Sequence, residues 1–186
     1  MHVSRRELLR RCALGTGASV ATAGCLDVRG DRDGDDDESD GESDSESDGD
    51  GLRLDAVEAA GSPGGEVSLR PGGKAVLLDF FATWCAPCVP QMDGLRTLRA
   101  EFDGDALHVV SITAETDREA VRAFWRNNDG TWPAALDPDA RAAERYAVTR
   151  IPTLVLFDAD GERVWRHVGL ADEDTLRAEA RAAVEG

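Results

Sequence analysis

The fold is decided by Ala75-Val76-Leu77-Leu78-Asp79-Phe80-Phe81-Ala82-Thr83-Trp84-Cys85-Ala86-Pro87-Cys88. An apolar run of strand length, residues 75–82, broken by one carboxylate, leads into two thiols with two residues between them, and a helical pattern follows. A nearly continuous apolar run is the mark of a strand buried on both faces, so this strand is expected at the centre of a sheet. A thiol reacts as its thiolate, which the unpaired N–H groups and dipole of a helix N-terminus favour, and Cys85 is expected at such a terminus. Cys88, one turn on, can reach Cys85 and close a disulfide, while Pro87 suits an early helix position where no N–H is needed. The pair reads as a redox dithiol. A zinc half-site would need two further ligands at suitable spacing. Cys12 and Cys25 lie in the N-terminal segment, and His108 and His167 stand alone in strand-like runs, so no metal or cofactor is expected and neither histidine is given a role.

Upstream of the run, residues 52–69 alternate weakly around Gly61-Ser62-Pro63-Gly64-Gly65, a short hairpin. Downstream, Met92, Leu95, Leu98 and Phe102 recur at helical spacing until Gly104. Residues 107–113 form a second buried strand, and Thr116-Asp117-Arg118-Glu119 is a capping box opening a helix through Trp125. An Ala-rich helical stretch follows Trp132-Pro133 and ends at Tyr146. Residues 153–157 and 163–168 are strands across the turn Asp158-Ala159-Asp160-Gly161, and a last helix covers residues 172–184. This alternation predicts an α/β fold, a central mixed sheet sandwiched by helices, with its site at the carboxyl end of a central strand.

The N-terminal segment is of a different kind. Residues 1–24 read as an export signal: Ser4-Arg5-Arg6-Glu7-Leu8-Leu9-Arg10 is a twin-arginine start. The mildly apolar stretch after it is too short and too rich in Gly, Ser and Thr to cross a bilayer, which takes roughly 20 apolar residues. Ala23-Gly24-Cys25 resembles the end of a lipobox, with Thr22 where that pattern carries Leu, so Cys25 is the expected lipid attachment site. A plain cleaved signal and an uncleaved anchor are the alternatives. Loss of the signal removes Cys12, and acylation of Cys25 leaves Cys85 and Cys88 as the only thiols, so no structural disulfide framework is available. One acyl chain holds a membrane only marginally, which implies a two-chain lipid.

Within the linker, residues 25–50, the run from 31 to 50 holds 12 acids against one base and no apolar residue. Such a segment buries nothing and repels itself, so it is expected to be a disordered tether rather than an acidic interaction tail. Residues 51–186 carry 23 acids against 14 Arg and one Lys and suit a single domain. That acidity, with Arg nearly replacing Lys, resembles the proteins of extreme halophiles and disfavours nucleic-acid binding.

Several separated motifs carry a resemblance over residues 52–184: Gly73-Lys74, Asp79-Phe80-Phe81-Ala82-Thr83-Trp84 before the dithiol, Tyr146-Ala147-Val148, Ile151-Pro152-Thr153 and Asp158-Ala159-Asp160-Gly161. In order and spacing the chain resembles the thioredoxin superfamily, and within it the membrane-anchored, extracytoplasmic branch of TlpA- and ResA-like thiol-disulfide oxidoreductases. The resemblance implies that Cys85 attacks a partner's disulfide and that Cys88 resolves the mixed disulfide. It gives Asp79, whose pKa burial should raise, the task of deprotonating Cys88, although many TlpA-like proteins carry Asn there and a surface-facing Asp79 is the alternative. Pro152 matches the superfamily's cis-proline, which would leave the backbone of Ile151 standing free to pair with an extended substrate. Trp84 either covers one side of the dithiol or is an ordinary core aromatic. Glu115 is read first as an exposed loop residue, and otherwise as the functional acid that some ResA-like proteins keep near the dithiol.

The resemblance further implies an enzyme outside the cytoplasmic membrane that acts on cysteines of exported proteins, with reduction as the direction. Maturation of cytochrome c or another metalloprotein is an example, with electrons from a membrane transporter of the DsbD or CcdA type. The alternatives are a disulfide-forming oxidant and a Cu(I) carrier, in which thiolates suit the soft ion and Met92 or His167 would have to complete the site. A thiol peroxidase fits the dithiol spacing and the Pro152 motif less well.

Overall fold

The structure, a computed structural model, describes residues 51–186; the expected export signal, Cys25 and the expected acidic linker lie outside the described residues. The chain enters as a hairpin, β1 (Arg53–Ala59) and β2 (Ser62–Ser68). Its turn is Ala60-Gly61, tighter than the five-residue connection expected from the sequence. Ser62 is drawn into the strand because its Oγ donates to Val57 O at 2.5 Å and accepts from Ala134 N at 3.2 Å. Gly61 has a φ of +67°, and a Cβ there would lie 2.0 Å from the Thr131 carbonyl oxygen, so no larger residue fits.

Next come β3 (Ala75–Phe80), α1 (Cys88–Glu101), β4 (Leu107–Thr113), α2 (Arg118–Asn127), β5 (Ala134–Leu136), α3 (Arg141–Arg145), β6 (Thr153–Phe157), β7 (Arg163–Val168) and α4 (Glu173–Glu185). The seven strands form one sheet in the order β2-β1-β5-β4-β3-β6-β7. β3 runs parallel to β4 and antiparallel to β6, and β4 runs parallel to β5, so the sheet is mixed as expected. Every residue of β3 is buried, and its alternation feeds two cores. Leu77, with Phe81 just beyond the strand, faces α1, α2 and α4 through Leu95, Trp125 and Leu176. Val76, Leu78 and Phe80 face α3 and Tyr146. The helices therefore cover both sides of the sheet.

Two details depart from the sequence reading. Asp117, not Thr116, caps α2, accepting from Glu119 N and Ala120 N at 3.0 Å. β5 falls where only helix was expected, because three residues, Ala-Ala-Leu, carry no alternation long enough to read.

Candidate active site

β3 delivers the dithiol to the carboxyl end of the sheet's centre. Beyond Phe80 the chain holds on to β4 once more, through Phe81 N to Ile112 O, and then winds through two tight turns, with Cys85 N donating to Ala82 O and Cys88 N to Cys85 O. The helix begins at Cys88, with Pro87 in the cap position at φ −72° and ψ −13°. Cys85 therefore stands one turn ahead of the helix rather than at its first residue. The turn closed by Cys88 N and Cys85 O spans Ala86 and Pro87, and the regular helix follows from Cys88. Cys85 and Cys88 form a disulfide with Cα atoms 5.3 Å apart. Both are buried in this oxidised form, Cys85 at 5% exposure and Cys88 at 2%. Trp84 is 74% exposed, which removes the core-aromatic alternative.

Asp79 is buried, which removes the surface-facing alternative. Its Oδ2 accepts from Ser111 Oγ at 2.6 Å, and its Oδ1 has no hydrogen-bond partner. Burial lifts its pKa from 3.8 to about 7, against the smaller opposing pull of the Ser111 hydrogen bond. Leu77 and Phe81 belong to the same core cluster as Cys85 and Cys88, so Asp79 projects from the sheet face that carries the disulfide.

The Ile151–Pro152 bond is cis, and Thr153, the next residue, pairs with Phe80 at the end of β3. Ile151 packs against the cluster that holds both cysteines. Beside it opens a cavity of about 450 Å³ whose lining includes Phe81, Trp84, Glu115, Val148, Arg150 and Ile151. Glu115 is no exposed loop residue: half-buried, it accepts from Thr83 N and Thr83 Oγ1, both at 2.7 Å, and from Thr113 Oγ1 at 3.2 Å. It ties the segment leading into Trp84 to the end of β4.

Sequence reasoning missed three buried polar residues on this face. Ser111 and Trp132 form a chain to Asp79, since Trp132 Nε1 donates to Ser111 Oγ at 2.8 Å. Gln91, on α1, accepts from Ala171 N at 2.9 Å. None carries a motif; Ser111 could have been found only as the polar member of a buried strand opposite Asp79. Met92 is buried in the core. His167 stacks on Trp165, with its Nε2 3.2 Å from Leu170 O, so its ring is engaged away from the dithiol. Among the described residues no group of three or more His, Cys, Asp or Glu side chains is placed to hold a metal ion, and no helix is long and apolar enough to cross a membrane.

Residues 48–184 match the family model described as Redoxin. The chain belongs to the Redoxin family. This Redoxin chain is 30% identical over 104 residues to a thiol-disulfide oxidoreductase ResA of Bacillus cereus, a match covering 56% of this chain and 60% of that protein. It is 39% identical over 100 residues to the thioredoxin-like protein YneN of Bacillus subtilis, covering 52% of this chain and 58% of YneN. The match thus spans about 60% of the length of these relatives. The crystal structure of StoA from Bacillus subtilis superposes with a TM-score of 0.58 at 22% identity, covering 69% of this chain and 94% of StoA. The Redoxin domain therefore has the thioredoxin-like fold that the motifs imply.

Proposed function

We propose that this Redoxin chain is an extracytoplasmic thiol-disulfide oxidoreductase that exchanges its Cys85–Cys88 pair with cysteines of exported proteins, in the reducing direction. Cytochrome c or metalloprotein maturation is the kind of process it would serve. The observation that carries the reading is the buried Cys85–Cys88 disulfide at the end of β3, with Ile151 packed against its cluster and the cavity beside Trp84. Relatives named thiol-disulfide oxidoreductase support it. In the reduced enzyme Cys85 attacks the partner's disulfide and a mixed disulfide forms. Cys88, deprotonated by Asp79, then attacks Cys85 and frees the partner's second thiol. Trp84 and the Ile151 backbone would receive the extended partner segment, and Pro152 presents no N–H beside the sulfurs. A membrane thiol transporter of the DsbD or CcdA type would return the electrons.

The reduction potential of the Cys85–Cys88 couple tests the direction, measured by equilibrating the protein with a defined thiol/disulfide buffer in concentrated salt. A value at or below about −250 mV is expected for a reductase, whereas one near about −120 mV would make the protein a disulfide-forming oxidant.

Attachment is part of the same proposal: residues 1–24 direct twin-arginine export, Cys25 carries the lipid, and residues 25–50 space the domain from the membrane surface. Cys25→Ala is expected to move the protein from the membrane fraction to the soluble one. Unchanged partitioning would remove the lipid anchor from the proposal.

A further inference from the structure

The two oxygens of Asp79 are unequal: Oδ2 is held and Oδ1 is not. Ser111 stands opposite Asp79 in the β3–β4 ladder, and both side chains lie on the sheet face that carries Cys85 and Cys88, together with Leu77 and Val109. Ser111 Oγ lies 2.6 Å from Asp79 Oδ2 and 2.8 Å from Trp132 Nε1. An indole N–H can only donate, so the Ser111 oxygen is its acceptor and the single hydroxyl proton of Ser111 is committed to Asp79. Trp132 is itself locked in place. It is 1% exposed, packs edge-on to Trp125 at 5.2 Å, and its carbonyl accepts from Trp125 Nε1 at 3.0 Å. Oδ2, already receiving a short hydrogen bond, is a poor seat for a second proton, which leaves Oδ1.

We propose that Trp132 and Ser111 are positioning residues that form a directional clamp on Asp79, reserving Oδ1 as the atom that takes and returns a proton during thiol exchange. The proposal rests on the exchange reading above. In the resolving step the Cys88 thiol passes its proton to Oδ1 and the Cys88 sulfur attacks Cys85 within the mixed disulfide. The Cys85–Cys88 bond forms, the bond from Cys85 to the partner's sulfur breaks, and that sulfur leaves as a thiolate. Two electrons have then passed from this chain's dithiol to the partner's former disulfide.

The surroundings leave the proton few other places to go. β4 meets Asp79 with Ser111 and β6 with Leu154, and α4 packs on this face with Leu176, Ala180 and Ala183. On α1 and the turn before it, the titratable groups in this core are the two cysteines once reduced. His108 projects from the opposite face of β4 and lies 3.1 Å from Ser68 O. Glu115, past the end of β4, is occupied by Thr83.

An infrared titration of the oxidised full chain tests the clamp. The carboxyl band of Asp79, assigned by its loss in Asp79→Asn, reports protonation with no thiol chemistry involved. Ser111→Ala removes a donor to the ionised form, so the Asp79 midpoint is expected to rise by about one pH unit. Trp132→Phe keeps a buried ring but frees the Ser111 hydroxyl to turn and accept, and a smaller rise is expected. Ser111→Thr keeps the hydroxyl and should hold the wild-type midpoint, which separates loss of the clamp from general loosening of the core. The pH profile of thiol exchange should follow the same shifts. A midpoint that stays put in Ser111→Ala, or that moves there but not in Trp132→Phe, overturns the clamp. If the midpoints move as expected in a chain that exchanges no thiols, the exchange reading fails while the clamp on Asp79 stands.

Discussion

Cys88→Ser is expected to turn the protein into a trap. In the reduced variant Cys85 can still attack a partner's disulfide, but no second thiol follows to release it, so a covalent adduct should accumulate and be freed by dithiothreitol. Cys85→Ser should do the opposite, giving no adduct and a loss of exchange of roughly 10³-fold or more, because the attacking group itself is gone. The asymmetry is what the family resemblance implies, and the positions are consistent with it. Cys88 opens α1, while Cys85 sits in the turn ahead of the helix, next to the exposed Trp84. The experiment is a mass measurement of each variant after incubation with a disulfide-bonded peptide. Equal adduct yields from the two variants would overturn the assignment of attacking and resolving sulfurs.

Asp79→Asn should change how stability depends on pH. The folded-state pKa of Asp79, about 7, lies above its ordinary 3.8, so between those values the folded protein holds a proton that the unfolded chain has released. Its favourable contribution is fully present below about pH 3.8 and is lost as pH rises through 7, an effect of order 4 kcal/mol for a shift of this size. Asn does not titrate, so the variant should gain on the wild type as pH rises, with the two curves converging as pH falls towards 4. Denaturant unfolding at a series of pH values reads this directly, and parallel curves would refute it. The same substitution should slow exchange mainly near neutral pH, where Asp79 passes from acid to base. A residue that costs stability at neutral pH and yet stands in the central strand is what a proton-carrying role would require.

The stretch from Ala75 to Cys88 made the centre of the fold legible, because burial on both faces writes an unbroken apolar run and a dithiol has few other uses at a strand's end. Family spacing located Pro152, and the cis bond is where it implied. Other features depended on facts a one-dimensional pattern does not hold. The start of α1 lies at Cys88, after the turn through Ala86 and Pro87, three residues beyond Cys85. β5 was too short for a periodicity to exist. Glu115 gained its role from Thr83, a residue that becomes its neighbour only when β4 lies beside β3. Ser111 and Trp132 look in the sequence like a small strand residue and a core aromatic, and only their meeting at Asp79 gives them a further meaning.

The hairpin at the start of the domain joins the sheet through β5, with Asp55 paired to Leu136 and Ala56 to Ala135, and with Gly61 and Ser62 keyed to Thr131 and Ala134. A chain that emerges amino end first would present β1 and β2 long before β5 has been made. The hairpin can zip itself early, as a local event, but the β1 edge that β5 will cover stays open until the polypeptide has grown past Leu136. If residues 1–24 direct export as proposed, passage of an already folded molecule would let that late closure finish on the side of the membrane where the chain is made.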